Sequence, residues 1–191
     1  AGIAVAFSGS DSVFASPAAR DWLTLLRALE EPRRQATRAA ILTDFVGGDL
    51  ADLTTADDSS LARWGAMLQN WSRLLARSGV AALFAAVQAE NGLAERVLAT
   101  PFGERLLTDY RHLAELLHGR WTAGLRGQAL VAWLAASMDS GEGAADRTRR
   151  LETDRRAVQI MTVHKAKGLQ FPVVLVPQAT DLHLRDDEGG A

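Results

Sequence analysis

The sequence contains no cysteine, which excludes disulfides, thiolate metal sites and a cysteine nucleophile, and nothing in it points to secretion. No uninterrupted apolar run approaches the ~20 residues that a membrane-spanning helix needs. The first ten residues, AGIAVAFSGS, have neither an initiator Met nor a basic stretch. They do not read as a signal peptide, and the chain is expected to be a segment of a longer protein. Lysine is nearly missing. Nineteen of the 21 basic residues are Arg, and the two Lys, Lys165 and Lys167, stand within three residues of each other. Charge of one sign is also lacking. A net charge of −2 leaves room only for local attraction to nucleic acid.

What is present is an ordinary globular composition: 191 residues, 48% hydrophobic and 23% charged. That length suits one domain of roughly 150–200 residues, or a domain with an insertion. Residues 3–7 (IAVAF) form a short β-capable run before a Ser-Gly-Ser turn. Ser16-Pro17 then offers an N-cap and a first-turn proline to a helix whose apolar face is Trp22, Leu25, Leu26 and Leu29. Glu31-Pro32 ends it, and a second helix is expected over 33–45. Residues 49–60 read as an acidic, polar loop. A long amphipathic helix is predicted from about Asp57 to Arg77, with Leu61, Trp64, Leu68, Trp71, Leu74 and Leu75 at helical spacing and Gly79 placed to cap it. Further helices are expected near 80–90, 93–99, 104–118 (with Gly119 after it) and 125–138.

Residues 139–147 have linker composition. Beyond them the pattern becomes β-branched and short. AVQIMTV (157–163) and FPVVLVP (171–177) read as two buried strands joined by residues 164–170. Strand-like segments at both ends with helices between them outline an α/β domain interrupted by a helical insertion, mostly α overall.

The joining segment is the stretch that asks for chemistry. The strand delivers Thr162, His164, Lys165 and Lys167 into a turn closing on Gly168. Backbone amides beside a glycine can make an anion-binding nest, and a hydroxyl, an imidazole and two ammonium groups at a strand's C-terminal end suit phosphate contacts. Between Arg147 and Lys167 lie seven basic residues and two acidic ones, Glu152 and Asp154. The alternative is a solvated edge on which Lys guards against aggregation.

TVHKAKGLQF resembles motif V of the UvrD/Rep-like superfamily 1 DNA helicases, T-[IVL]-H-x-[AS]-K-G-L-E-[FY], at Thr162, Val163, His164, Ala166, Lys167, Gly168, Leu169 and Phe171. The flanking run from Arg149 to Pro177, the helix GERLLTDYRHLAELL (103–117) and the stretch 10–29 are similar to the RecB-type branch. The resemblance implies a partial RecA-like motor domain (2A) interrupted by a helical 2B insertion. Residues 1–45 would be the first part of 2A after motif IV, 46–147 the 2B-like insertion, and 148–191 the return to 2A with motif V.

It further implies an ATP-dependent DNA helicase–nuclease subunit of double-strand-break repair and recombination. Thr162, His164, Lys165 and Lys167 would face DNA; Gly168 and Gln170 would face nucleotide. The family's acidic residue is Gln at position 170, which replaces a charge-assisted ribose contact by a neutral one, worth roughly 1 kcal/mol less. ATP and Mg2+ would serve the parent protein, with none expected on this segment. Single- and double-stranded DNA ends and RecC- and RecD-type subunits would be its partners, in the bacterial cytoplasm.

No Gly-Lys-Ser/Thr loop occurs, so ATP hydrolysis by the segment alone is not expected. A UvrD- or AddA-type origin, or a non-catalytic helical interaction module, remain alternatives, the last favoured by Gln170. Among other residues, Trp22, Trp64 and Trp71 belong on core faces, whereas Trp121, in a Gly-flanked turn, is the one with a possible surface role. His112 and His118 are badly spaced for a shared metal, and no metal site is expected. A DNA-reading helix-turn-helix is disfavoured, because the insertion's helices carry few clustered basic residues.

Overall fold

A computed structural model describes residues 5–7, 12–140, 158–160, 166–168 and 170–176. The chain is mostly helical. A short strand, β1 (Val5–Phe7), precedes a 3-10 turn at Val13–Ala15, and the helices follow in order: α1 (Pro17–Glu30), α2 (Arg34–Ile41), α3 (Leu50–Thr55), α4 (Asp58–Glu90), α5 (Leu93–Leu98), α6 (Gly103–Thr122) and α7 (Gln128–Ser140). A second strand, β2 (Val158–Ile160), pairs with β1 in parallel, Val5 opposite Val158 and Phe7 opposite Ile160. Parallel strands cannot be joined by a tight turn, so the helical body is the connection between them.

α1 forms as its sequence dictates. The Ser16 hydroxyl accepts the Ala19 amide at 3.3 Å and Pro17 occupies the first turn. Its buried face, Trp22, Leu25, Leu26 and Leu29, sits at the centre of one continuous core. The Trp22 ring meets Phe45 at 4.7 Å and Phe84 at 5.7 Å, and Phe45 meets Tyr110 at 5.0 Å. The Trp22 indole N–H donates to the Tyr110 carbonyl at 3.2 Å, so the buried polar atom is satisfied and α1 is fixed to α6.

Several expectations are corrected. The second helix stops at Ile41, because the chain then turns to drive Phe45 into the core. The expected loop at 49–60 contains α3, which packs only the half-buried Leu53 against the core and is held by a reciprocal capping box between Asp49 and Asp52. Asp57 then caps α4, and hydrogen bonds from Ser60 and Ser59 hold its carboxyl down at about 2. Of the strand expected at 157–163, the described residues 158–160 form β2, and the others lie outside the described residues. Residues 171–176 form no strand, and Val173 to Val176 are exposed. β propensity is realised only where a neighbouring strand and a packed face accept it, and among the described residues neither is supplied to 171–176.

The predicted break at Gly79 is present in another form. α4 continues past it with a kink, Gly79 standing at φ 83°. A Cβ on Gly79 would lie 2.8 Å from the Trp121 ring. Trp121 is accordingly not in a turn. α6 runs through Gly119 to Thr122 and lays the indole against the kink, with the Arg126 guanidinium 3.6 Å from the ring centroid and His118 stacked on it at 5.8 Å. His118 Nδ1 accepts the Ala81 amide at 3.4 Å, capping the helical segment that restarts after the glycine. Gly79→Ala should therefore destabilise the fold by about 2–4 kcal/mol, from left-handed backbone strain and overlap with the indole. Urea denaturation checks this; a loss below about 1 kcal/mol would show that the kink is not constrained by Trp121.

Candidate functional site

The motif-bearing segment begins where β2 ends. Its first residues, Thr162, His164 and Lys165, lie outside the described residues, as does Leu169. Lys167, Gly168 and Gln170 are described, and all three are exposed. Gly168 adopts φ 87°, a left-handed conformation that glycine reaches without a Cβ penalty, and nothing stands within 4 Å of where a Cβ would be. The turn therefore presents open backbone beside the Lys167 ammonium and the Gln170 amide, a combination that can donate hydrogen bonds to an anion. It follows β2 in the chain.

Comparison with known proteins addresses the same segment. Residues 143–184 match the model of the UvrD-like helicase C-terminal domain. The chain is 43% identical over 98% of its length to the RecBCD enzyme subunit RecB of Mycobacterium tuberculosis, and 34% identical over 95% of its length to that of Escherichia coli. It is 24% identical over its whole length to an ATP-dependent helicase/nuclease subunit of Leuconostoc mesenteroides. The chain belongs to the UvrD-like helicase family. It spans about a sixth of the length of these relatives, covering 17% of the first, 16% of the second and 17% of the third.

In this UvrD-like helicase segment the described histidines and tryptophans serve packing. Trp22 and Trp71 are buried, Trp64 packs half-buried against the core, and His112 is buried on α6. Among the described residues no group of three or more His, Asp or Glu is placed to hold a metal ion, and no helix is long and apolar enough to cross a membrane.

One polar cluster escaped sequence reasoning. The Tyr110 hydroxyl lies 2.6 Å from Asp21 Oδ2 and 3.0 Å from Asp44 Oδ2, and Asp21 Oδ2 also accepts the Asp44 amide at 3.0 Å. These contacts tie α1, the turn after α2 and α6 together. A tyrosine hydroxyl has one proton to give, so two carboxylates can both bond to it only if one of them carries a proton. Burial, with the Asp44 charge adding to it, raises the Asp21 carboxyl above its ordinary range, and burial with the two carboxylates raises the Tyr110 hydroxyl. No local spacing signals this cluster, because its members are 89 and 66 positions apart.

A carboxyl whose folded value is raised stabilises the fold most below its unfolded value, and that contribution is lost as pH rises through the folded value. Asp21→Asn should therefore gain stability relative to the native chain as pH rises from about 4 to about 7. Denaturant midpoints across that range are the check, and parallel profiles for the two proteins would disprove the shared-proton arrangement.

Proposed function

We propose that this chain is part of an ATP-dependent DNA helicase–nuclease subunit of the RecB type, acting in double-strand-break repair and recombination, and that its 162–171 segment couples nucleotide state to movement along single-stranded DNA. The observation that carries this reading is the 43% identity to RecB across nearly the whole chain, joined to the family match over the segment that contains Lys167, Gly168 and Gln170. In this reading residues 1–45 and 148–191 belong to a RecA-like motor domain, and 46–147 form the 2B-like insertion. The parallel pairing of β1 with β2 across the helical body supports an interrupted α/β unit. Thr162, His164, Lys165 and Lys167 contact DNA phosphates. Gly168 and Gln170 face the nucleotide.

ATP, when bound, supplies the free energy of hydrolysis, with Mg2+ neutralising its phosphates. The open left-handed turn at Gly168 and the exposed Gln170 amide fit one wall of such a site. The loop that cradles phosphates has no counterpart in this sequence. RecC- and RecD-type subunits and DNA ends are the partners in this reading, and the compartment is the bacterial cytoplasm, with the protein held on the nucleoid through DNA. An AddA-type parent is the second reading, favoured by the similarity to the Leuconostoc mesenteroides helicase/nuclease.

The test is made in the full-length protein. Lys167→Ala and His164→Ala should each reduce DNA-stimulated ATPase and unwinding by roughly tenfold or more, the scale expected when one charge-assisted hydrogen bond is removed. Gln170→Glu should tighten nucleotide binding. Wild-type rates in both alanine variants would remove the proposed role of the segment.

A further inference from the structure

The turn between α5 and α6 holds a residue that three local rules would each replace. Residues 100–103 (TPFG) close on a hydrogen bond from the Gly103 amide to the Thr100 carbonyl at 3.1 Å. Pro101 stands second and a left-handed residue third, which is the pattern of a type II turn, whose third place ordinarily belongs to Gly or Asn. Here it is Phe102, at φ 63° and ψ 20°, the one non-glycine residue with positive φ among the described residues. Phe102 is also the N-cap of α6, and a phenyl cannot accept the first-turn amides as a Ser, Asp or Asn side chain does. It is 83% exposed, so the helical body gains little from burying its ring.

The glycine next in the chain does not relieve this. Gly103 is held in place by packing, since a Cβ there would overlap the Val97 carbonyl oxygen and stand 2.8 Å from the Leu98 Cα. Asn at position 102 would serve turn, cap and solvent together. A strained and exposed aromatic that its own domain does not use points to a use elsewhere. Around it the surface is apolar. Leu98, at the end of α5, is brought beside the turn by the close approach at Gly103 and is 50% exposed, and Pro101 is exposed as well. With Phe102 they make a small apolar knob.

The chemistry of the knob selects a protein pocket over a nucleobase. Aromatic side chains that stack on single-stranded nucleic acid work beside a positively charged track for its backbone. The basic residues flanking the turn in sequence, Arg96 and Arg105, are half-buried, and the Arg96 guanidinium is committed to the carbonyls of Asp44, Phe45 and Asn91. The exposed charge nearest in sequence is that of Glu104. Position in the fold narrows the partner. Asp21 and Trp22, early in α1, bond Tyr110, early in α6, whereas Gln128, just after α6, bonds Glu31, just after α1, at 3.2 Å. α1 and α6 therefore run in the same direction, and the knob stands at the end of the body where α1 begins. That is the end at which the chain arrives from β1.

We propose that Phe102 anchors the helical body by inserting into an apolar pocket on the rest of the same polypeptide, outside residues 1–191. The chain spans about a sixth of the length of its relatives, so most of the surface that such a protein offers lies there. This rests on the interrupted-motor reading, in which motor and insertion are joined at this end of the body. The anchor fixes how the insertion sits on the motor. A proline-led turn that already holds the ring outward leaves little conformational freedom to lose on docking, which is what the strained backbone achieves.

The test is Phe102→p-benzoylphenylalanine, a photo-reactive aromatic, in the full-length protein as purified, with a DNA substrate added. Irradiation followed by peptide mass spectrometry should join position 102 to a peptide of the same polypeptide beyond residues 1–191. A cross-link to DNA, to another subunit or to a second copy, or no cross-link, would overturn the proposal. Phe102→Asn in the 191-residue chain is the second measurement, and its urea midpoint should lie at or above the native value. A lower midpoint would show that the ring serves the body's own fold, and would overturn the proposal as well. The motor reading fails or stands separately. Impaired ATPase in Lys167→Ala, with the cross-link going elsewhere, leaves the motor without the anchor, whereas an internal cross-link with wild-type ATPase in Lys167→Ala and His164→Ala leaves an anchored body without the proposed role of 162–171.

Discussion

Parallel pairing of two three-residue strands, β1 and β2, is the constraint on which this arrangement rests. An antiparallel pair could have been closed locally by a two-residue turn. A parallel pair demands a crossover, and here the crossover is a helical body with its own aromatic centre. The segment leaving β2 carries the two lysines of the sequence and the left-handed glycine.

The helical body is held by a few long-range polar contacts set into an apolar core. Trp22 and Tyr110 are joined by an indole-to-carbonyl hydrogen bond across 88 positions, and Tyr110 in turn bridges two carboxylates. Arg96 performs a similar service at the other side of Phe45. Its guanidinium bonds the carbonyls of Asp44, Phe45 and Asn91, and the Asn91 amide donates to Phe45 and Val46. Such contacts satisfy carbonyls of the turn that follows α2 and tie that turn to the junction of α4 and α5.

Sequence periodicity and capping chemistry made α1 and the body of α6 legible, because Ser16-Pro17 and the apolar spacing act locally. Gly79 was legible as a left-handed position, but whether the helix ends there depends on Trp121, which arrives from another helix. Gly119 looked like a stop for the same reason in reverse. Its helix cost of about 1 kcal/mol is outweighed by the packing of the next turn. α3 was invisible to hydrophobic spacing because it sets only one half-buried side chain, Leu53, against the core; the Asp49 and Asp52 pair is what marks it. The valines of 171–176 show the opposite failure, strong β propensity without a neighbour to pair with. In the candidate site, fixed spacing singled out residues 162–171 by resemblance, while the Asp21, Asp44 and Tyr110 cluster had no linear signature.

The claim most exposed to a single experiment is that the two distant strands lie side by side in the stated register. The native chain has no cysteine, so a pair introduced as Ala6→Cys and Gln159→Cys gives an unambiguous readout. Neighbouring strands lie about 4.8 Å apart, within the Cα separation that a disulfide bridges. Mild oxidation should convert the variant to a cross-linked monomer of altered mobility on a non-reducing gel. A chain that stays uncross-linked, while each single variant reacts freely with a thiol reagent, would contradict the ladder.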